Sequence, residues 1–260
     1  MKVPLVCRCA IAILILLNGC EQSADPLPTV FITGSNRGIG LELTRQYAAR
    51  GWTVIATCRT PAEASELHDI ARVHPAVDIV QLDVLDFDRI DQLSELYRAT
   101  PIDILINNAG IGGGGENQVF GRINYAYFAD VMRINVKAPL KIAEAFLEQV
   151  AASEMKKIIT ISSSEGSIAM TGGPGRGYFY RPSKTAINMA MRNLAVDVSD
   201  RDIVVGLVNP GAVDTDFMKG VPIPLMPVEE SVRQVVSVID SLDIESSGSF
   251  LNYNGEQLPW

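Results

Sequence analysis

The sequence is poor in cysteine and histidine. Three of its four cysteines lie within the first twenty residues, so Cys58 is the one cysteine of the remaining chain. A disulfide framework is therefore excluded there. The two histidines, His68 and His74, fall in a predicted helix and at its end, far from any cysteine cluster. This separation argues against a metal site, because such sites gather several of these side chains.

The chain also lacks an excess of positive charge. Its formal net charge of −8 at pH 7 argues against a nucleic-acid-binding protein, whose binding face would be basic. Of its 260 residues 47% are hydrophobic, which is enough for one α/β domain with a substantial buried core. No internal repeat is apparent, and no linker interrupts the predicted domain.

Residues 1–25 have the pattern of an export leader that precedes the fold. Two basic residues come before an apolar run over residues 10–17, which is too short to span a bilayer comfortably as a permanent helix. The following residues resemble a bacterial lipoprotein signal in which Cys20 is lipidated. We therefore expect membrane attachment through this leader and a folded domain over residues 26–260. The alternatives are an uncleaved anchor or a misassigned start before a cytoplasmic enzyme.

Apolar and amphipathic segments alternate along the predicted domain. Strands are predicted over residues 29–33, 53–58, 77–84, 102–106, 157–162, 203–208 and 249–253. Helices are predicted over residues 40–50, 61–73, 88–99, 122–152, 180–198 and 226–239. Pro139 is expected to bend or break the longest of them. This alternation predicts an α/β fold with a single doubly wound parallel sheet flanked by helices.

A glycine-rich turn over residues 33–40, here called the glycine turn, follows the first predicted strand and leads into a helix. Strand, turn and helix together present backbone N–H groups and a helix N-terminus to a phosphate. Gly34 and Gly38 allow a tight turn and a close approach of the backbone to a pyrophosphate, and Gly40 allows the helix to pack closely on the strand. A turn that binds nothing could have the same sequence, so other motifs must support the assignment.

Tyr180 and Lys184 are four residues apart in a predicted helix, so they are expected on one helix face. Tyr178 is six residues from Lys184 and is expected to point elsewhere. An ammonium beside a phenol stabilises the phenolate and lowers the pKa of the tyrosine. The tyrosine could then exchange a proton near neutral pH. The alternative is a tyrosine and a lysine on a solvated helix face.

Taken together, the motifs resemble those of short-chain dehydrogenase/reductases over about residues 29–260. The shared motifs are, in chain order, residues 33–40, residues 107–110, Asn135, Ser163, Tyr180 with Lys184, and residues 209–211. Within that family the chain is most similar to C-factor and sniffer-type carbonyl reductases, in residues 166–168, 178–181, 249–255 and 259–260. The resemblance implies a Rossmann-type fold and the reduction of an aldehyde or ketone.

The resemblance also implies a catalytic set of Ser163, Tyr180, Lys184 and Asn135. Tyr180 would be the general acid in reduction, and Ser163 would polarise the substrate carbonyl. Lys184 would lower the pKa of the phenol and bind the nicotinamide ribose. Asn135 matches the family asparagine that holds a proton-relay water, whereas by itself it indicates a helix bend or a packing residue.

Two arginines indicate which nicotinamide cofactor the chain prefers. Arg59 stands at the end of the second predicted strand, where an acidic residue would favour NAD and an arginine accommodates the 2′-phosphate of NADP. Arg37 adds a second cation in the glycine turn. We therefore expect NADP. The residues expected to bind it are Gly34, Ser35, Asn36, Arg37, Gly38, Ile39, Gly40, Arg59, Asp83, Val84, Asn108, Ala109, Gly110, Tyr180, Lys184, Pro210, Gly211, Val213 and Thr215.

Two loops lie outside these motifs. Residues 112–115 are four consecutive glycines, and residues 217–227 combine prolines with apolar side chains. The second loop could be a lid over a hydrophobic substrate or an ordinary stiff loop. An NADP-dependent carbonyl reductase and a nucleotide-sensing or signalling protein of the same fold both fit the sequence. The expected partner is a small carbonyl substrate, a homo-oligomer is allowed, and nucleic acid is not expected.

Overall fold

The computed structural model describes residues 27–172 and 177–260, and the predicted leader over residues 1–25 lies outside them. Its strands are β1 (Thr29–Thr33), β2 (Thr53–Cys58), β3 (Val77–Gln81), β4 (Ile104–Asn107), β5 (Lys157–Ile161), β6 (Val204–Asn209) and β7 (Phe250–Asn252). They form one seven-stranded sheet in the order β3-β2-β1-β4-β5-β6-β7. Each neighbouring pair is parallel.

Helices cover both faces of this sheet. They are α1 (Gly38–Ala49), α2 (Ser65–Val73), α3 (Phe87–Leu96), α4 (Phe128–Met132), α5 (Ala138–Ala145), α6 (Leu147–Ala151), α7 (Tyr180–Asp197) and α8 (Val228–Ser241). Successive side chains of a strand point to opposite faces. In β1, Val30 and Ile32 therefore pack with α1, α2 and α8, whereas Phe31 packs with α3, α5 and α7. The predicted doubly wound α/β fold is confirmed.

The predicted helix over residues 122–152 is broken into several pieces. A π-helical turn over Arg133–Lys137 joins α4 to α5, and a further break at Phe146 separates α5 from α6. Pro139 lies in the first turn of α5. Its ring nitrogen cannot donate to the carbonyl of residue 135 four positions earlier, which accounts for the interruption at this point. The predicted disturbance near Pro139 is confirmed.

The strand order creates a crevice at the carboxyl edge of the sheet, where a ligand can enter. From β1 the chain adds β2 and β3 on one side, and then returns to place β4 on the other side of β1. In parallel sheets the crevice beyond the carboxyl ends of the strands at this reversal is the usual ligand site. Among the described residues, no helix combines the length and the apolar character needed to cross a membrane.

Candidate active site

A cleft of about 730 Å³ opens at the carboxyl edge of the sheet. It is lined by the loops that follow β1 to β6 and by the first turn of α7. Every residue predicted to bind cofactor or to act in catalysis lines this cleft except Ser35 and Asn135. The fold therefore gathers predicted residues that lie up to 181 positions apart in the sequence, from Gly34 to Thr215, around one space.

The glycine turn forms one end of the cleft. Gly34 and Gly38 have φ angles of +70° and +54°, in the left-handed region that favours glycine. A Cβ added at Gly40 would lie 2.1 Å from the carbonyl oxygen of Gly34, so the start of α1 packs directly on the turn. In the described chain, α1 has neither a side-chain cap nor an acidic residue in its first turn. Its N-terminus is therefore suited to an anion.

Ser35 supports the glycine turn from behind. Its backbone N–H donates to the carbonyl of Thr57 at 2.9 Å, and its hydroxyl donates to the carbonyl of Ile32 at 3.0 Å. The side chain is fully buried and faces away from the cleft lining. Ser35 therefore holds the turn against β1 and β2. This placement argues against a direct contact between its side chain and a cofactor.

The loop after β4 is joined to the glycine turn. The Asn108 side-chain amide donates to the carbonyls of Thr33 at 2.8 Å and Gly34 at 3.1 Å. The Thr33 hydroxyl accepts from the backbone N–H groups of Asn108 and Ala109, each at 3.0 Å. These bonds fix the loop after β4 against the glycine turn. The motif over residues 107–110 identified this loop, but the contribution of the Thr33 hydroxyl depends on the folded structure.

Two arginines stand at the glycine-turn end of the cleft. Arg59 follows β2, is exposed and lines the cleft. Arg37 also lines it, and its guanidinium lies 3.8 Å from the carboxylate of Asp216 across the opening. Both partners of this ion pair are largely exposed, so it contributes little to stability. Asp216 was not predicted, because its approach to Arg37 depends on how the loop after β6 folds.

Tyr180 and Lys184 occupy the opposite end of the cleft, on one face of α7. The ammonium nitrogen of Lys184 lies 5.8 Å from the centre of the Tyr180 ring. It donates to the carbonyl of Ile161, the last residue of β5, at 2.9 Å, and the residue is only 7% exposed. Ser163 lines the cleft two residues after β5. The helix spacing and the end of a central strand thus bring the three predicted catalytic side chains to one place.

Burial has the largest effect on the pKa values of Tyr180 and Lys184. It raises the pKa of Tyr180 to about 12, while a hydrogen bond with Ser163 lowers that pKa and the charge of Glu165 raises it. Burial also lowers the pKa of Lys184 to about 8. The sequence predicted a lowered pKa for Tyr180, and this direction is wrong for the structure. The reason is that desolvation disfavours the phenolate more than its neighbours stabilise it.

Asn135 lies in the π-helical turn and connects two parts of the site. Its side-chain oxygen accepts from the backbone N–H of Ile111 at 2.9 Å. Its amide nitrogen donates to the carbonyl of Ile111 at 2.8 Å and to the hydroxyl of Ser183 in α7 at 3.0 Å. It is buried beside the cleft and does not line it. The relay-water role remains a prediction.

The loop over residues 217–227 lies at the end of the cleft that holds Tyr180 and Lys184, here called the catalytic end. Phe217, Met218 and Ile223 line the cleft, and the Phe217 ring centre is 5.5 Å from that of Tyr180. The Met226 N–H donates to the carbonyl of Ala212 at 2.8 Å, which brings the end of the loop back to the residues that follow β6. The composition of this loop allowed a lid over a hydrophobic substrate or an ordinary stiff loop, and its contact with Tyr180 is a tertiary feature.

Glu165 is a charged residue of the site that the motifs did not predict. It lines the cleft after Ser163 and forms an ion pair with Arg181 of α7. No group of three or more His, Cys, Asp or Glu side chains that could hold a metal ion occurs in the part of the chain that the structure describes. The side chains of the cleft that could take part in chemistry therefore include the hydroxyls of Tyr180 and Ser163 and the amine of Lys184.

Known proteins share both the sequence and this architecture. A family model described as short chain dehydrogenase matches residues 28–223. C-signal of Myxococcus xanthus is 38% identical over 160 residues, which cover 62% of this chain and 93% of that protein.

Two solved structures extend the similarity over 90% of this chain and 100% of each of theirs. The carbonyl reductase Sniffer of D. melanogaster is 31% identical with a TM-score of 0.81. An NADPH-bound carbonyl reductase from chicken fatty liver is 31% identical with a TM-score of 0.83. The chain therefore belongs to the short-chain dehydrogenase/reductase family, whose members use a nicotinamide cofactor.

Proposed function

We propose that the protein is an NADP-dependent carbonyl reductase that acts on small, apolar aldehydes or ketones. The observation that carries this proposal is the meeting of Tyr180, Ser163 and Lys184 with the glycine turn in one cleft. A hydroxyl pair and an amine beside a phosphate-binding turn suit proton transfer to a substrate held against a dinucleotide. The two similar carbonyl reductases agree with this class of reaction.

The residues along the cleft fit NADP. The uncapped N-terminus of α1 and the glycine turn would hold the pyrophosphate. Arg59 and Arg37 would pair with the 2′-phosphate, since an arginine fork matches phosphate oxygens. Residues 108–110 and 210–215 would line the rest of the dinucleotide. When bound, the reduced cofactor supplies the hydride for the carbonyl carbon.

Tyr180 would supply the proton. Because burial raises its pKa to about 12, the phenol is protonated at neutral pH and can act as the acid. Ser163 would donate a hydrogen bond to the substrate oxygen as negative charge develops there. Lys184 has a pKa of about 8 and so is mostly an ammonium at neutral pH. It would stabilise the phenolate that remains after proton transfer.

The catalytic end favours an apolar substrate. Phe217, Met218 and Ile223 form an apolar wall, and the ring of Phe217 packs near that of Tyr180. Apolar and aromatic groups on a substrate would be removed from water against this wall. A substrate carboxylate would lose its hydration against the same apolar wall, which disfavours carboxylated substrates.

Turnover with a panel of aldehydes and ketones tests the proposal. We expect NADPH oxidation with aromatic and medium-chain aliphatic carbonyls, and weaker activity with NADH. Carboxylated versions of the same compounds should be poorer substrates. If the protein binds NADPH but oxidises it with no member of the panel, the proposed activity is wrong.

A signalling role is the second candidate, and the similarity to C-signal favours it. In that case the cofactor would report on the nucleotide state and the surface would carry the effect. A Tyr180→Phe variant separates the two candidates in the source organism. A sensor keeps its biological effect and its NADPH binding after this change, whereas an enzyme loses the effect with its activity.

We also propose that the leader attaches the domain to a membrane through a lipidated Cys20. The pattern of the first twenty residues supports this proposal. Mass analysis of the mature protein tests it. An amino terminus at Cys20 with the added mass of lipid is expected, and a mature chain that still begins at Met1 would contradict it.

A further inference from the structure

The side chain of Gln118 connects the start of α7 to the loop that follows β4. It is 2% exposed. Its oxygen accepts from the backbone N–H groups of Phe179 at 2.8 Å and Tyr180 at 3.0 Å. Its nitrogen donates to the carbonyls of Gly112 at 2.7 Å and Gly114 at 3.0 Å. A glutamine amide has two donors and two acceptor sites, so its whole hydrogen-bonding capacity is used here.

The start of α7 depends on this glutamine. The first N–H groups of a helix have no partner inside the helix, and a polar side chain just before the helix usually accepts from them. Phe179 holds that position in α7 and makes no side-chain cap. The Arg181 N–H donates to the carbonyl of Gly177 at 2.9 Å, and Pro182 has no N–H. Gln118 therefore caps the helix from 61 positions away in the sequence.

The other half of the amide holds the four-glycine segment over residues 112–115. Gly113 and Gly114 have φ angles of +76° and +69°, which favour glycine. A Cβ added at Gly113 would lie 2.7 Å from a methyl group of Val131. These glycines allow the loop to turn tightly enough for two of its carbonyls to face Gln118. The segment directly follows the cofactor-lining residues 108–111.

Two side-chain amides therefore clamp this loop to α7. Asn135 joins Ile111 to Ser183, and Gln118 joins the glycines to Tyr180. The backbone of Tyr180 takes part in the second of these connections, and Ser183, one helical turn later, takes part in the first. A small rotation of the first turn of α7 would change the position of its hydroxyl relative to the loop that lines the cofactor cleft.

We propose that Gln118 is a positioning residue that sets the orientation of Tyr180 against the cofactor-lining loop, an inference that rests on the proposed reductase function. It touches neither substrate nor cofactor in this role. Its effect is exerted through the backbone of the residue that donates the proton. Displacement of a reacting group by about 1 Å can cost about a hundredfold in rate, so loss of this clamp should appear in kcat.

The experiment compares two variants of Gln118 with a matched control. Gln118→Met keeps the length of the side chain and removes all four hydrogen bonds. Gln118→Glu keeps an acceptor for the helix N–H groups and removes the donors to the glycines. Gln149→Met is the control, because Gln149 is also buried, donates to the carbonyl of Ser94 at 2.6 Å, and does not line the cleft.

We expect kcat of Gln118→Met to fall about tenfold to a hundredfold, while its KM and its Kd for NADPH change by less than about threefold. Hydrogen exchange at the amides of Phe179 and Tyr180 should become faster. Gln118→Glu should restore protection of these amides and recover part of the lost kcat. Gln149→Met should change only the melting temperature, since the hydrogen bond that it removes is remote from the cleft.

The inference is overturned if Gln118→Met folds and its kcat stays within about twofold of the native value. It is also overturned if that kcat is no lower than the kcat of Gln149→Met. If Gln118→Met does not fold, an unchanged kcat in Gln118→Glu overturns it, because that variant has lost the connection to the glycines. Failure of the proposed function looks different: the native protein itself then turns over no carbonyl. Activity in the native protein together with full activity in both variants refutes only the role of Gln118.

Discussion

The two ends of the cleft are built in different ways. At the glycine turn, neighbouring residues within a single loop present their backbone, and the charged side chains of Arg37 and Arg59 are exposed. At the catalytic end, buried polar side chains from several elements meet through hydrogen bonds between distant parts of the chain. The backbone groups of the glycine turn can therefore be positioned by one loop, whereas the pKa values of Tyr180 and Lys184 depend on burial by several distant segments.

This difference also predicts which changes should impair each end of the cleft. The glycine turn is closely packed, so an added carbon atom there should weaken cofactor binding more than a changed side chain elsewhere. At the catalytic end, activity should depend on the position of single polar atoms and on their protonation. The following predictions test this contrast, in order from the largest expected effect to the smallest.

Tyr180→Phe should lower kcat for the proposed carbonyl reduction about a thousandfold, because it removes the proposed proton donor. Its Kd for NADPH should stay within about twofold of the native value, since the loops of the glycine-turn end are unchanged. Steady-state rates and fluorescence titration measure the two quantities. Tyr178→Phe is the matched control, because Tyr178 packs against Phe120 with ring centres 5.8 Å apart, outside the cleft. Equal rate losses in both variants would remove the special role of Tyr180.

Gly40→Ala should weaken NADPH binding about a hundredfold and lower stability by about 1–3 kcal/mol. The added methyl carbon would lie 2.1 Å from the carbonyl oxygen of Gly34, so the turn or α1 must shift. Titration with NADPH and thermal unfolding measure these effects. Gly115→Ala is the control, since a Cβ there meets no described atom within 4 Å. Native affinity in Gly40→Ala would show that the turn is not the phosphate site.

Arg59→Ala should raise the Kd for NADPH about tenfold and leave that for NADH nearly unchanged, since it removes a charged partner of the 2′-phosphate alone. Binding titrations with both cofactors measure the ratio. Arg72→Ala provides a comparison, because Arg72 pairs with Asp69 on the surface of α2 at 3.0 Å. Parallel weakening of NADPH and NADH would mean that Arg59 does not select the cofactor.

Reduction should slow by several-fold as the pH rises through about 8. Burial lowers the pKa of Lys184 to about 8, so its ammonium is present below that pH and lost above it. The pKa of Tyr180 is about 12, so the proton donor itself stays protonated over the same range. A profile of kcat against pH locates this limb. The profile of a Lys157→Arg variant is the control and should match the native profile. Lys157 is another buried lysine, and its amine donates to the carbonyl of Ile239 away from the cleft. A flat profile through pH 8 would exclude Lys184 as the titrating group.

Local patterns predicted much of the fold. The bounds of β1 and β2 agree with the expected strands, because apolar runs between turn residues define strands that are covered on both faces. The glycine turn and the spacing of Tyr180 and Lys184 identified the two ends of the cleft. The predicted helix over residues 122–152 was too long, since periodicity alone does not show where a π-helical turn and a second break divide it.

The missed features all depend on long-range contacts. Gln118 and Asp216 act on residues that are distant in the sequence, and no motif marks them. The raised pKa of Tyr180 was missed for the same reason. Neighbouring charges can be anticipated from spacing, whereas desolvation depends on everything that packs around the group.

The sequence by itself determined the parallel α/β sheet, the glycine turn and the set of side chains that could transfer a proton, because these follow from local periodicity and spacing. The tertiary structure decided which of those side chains line the cleft, how α7 is capped, and in which direction the pKa of Tyr180 is shifted. The physical reason is that hydrogen-bond partners and desolvation are supplied by segments far apart in the chain, and only folding brings those segments together.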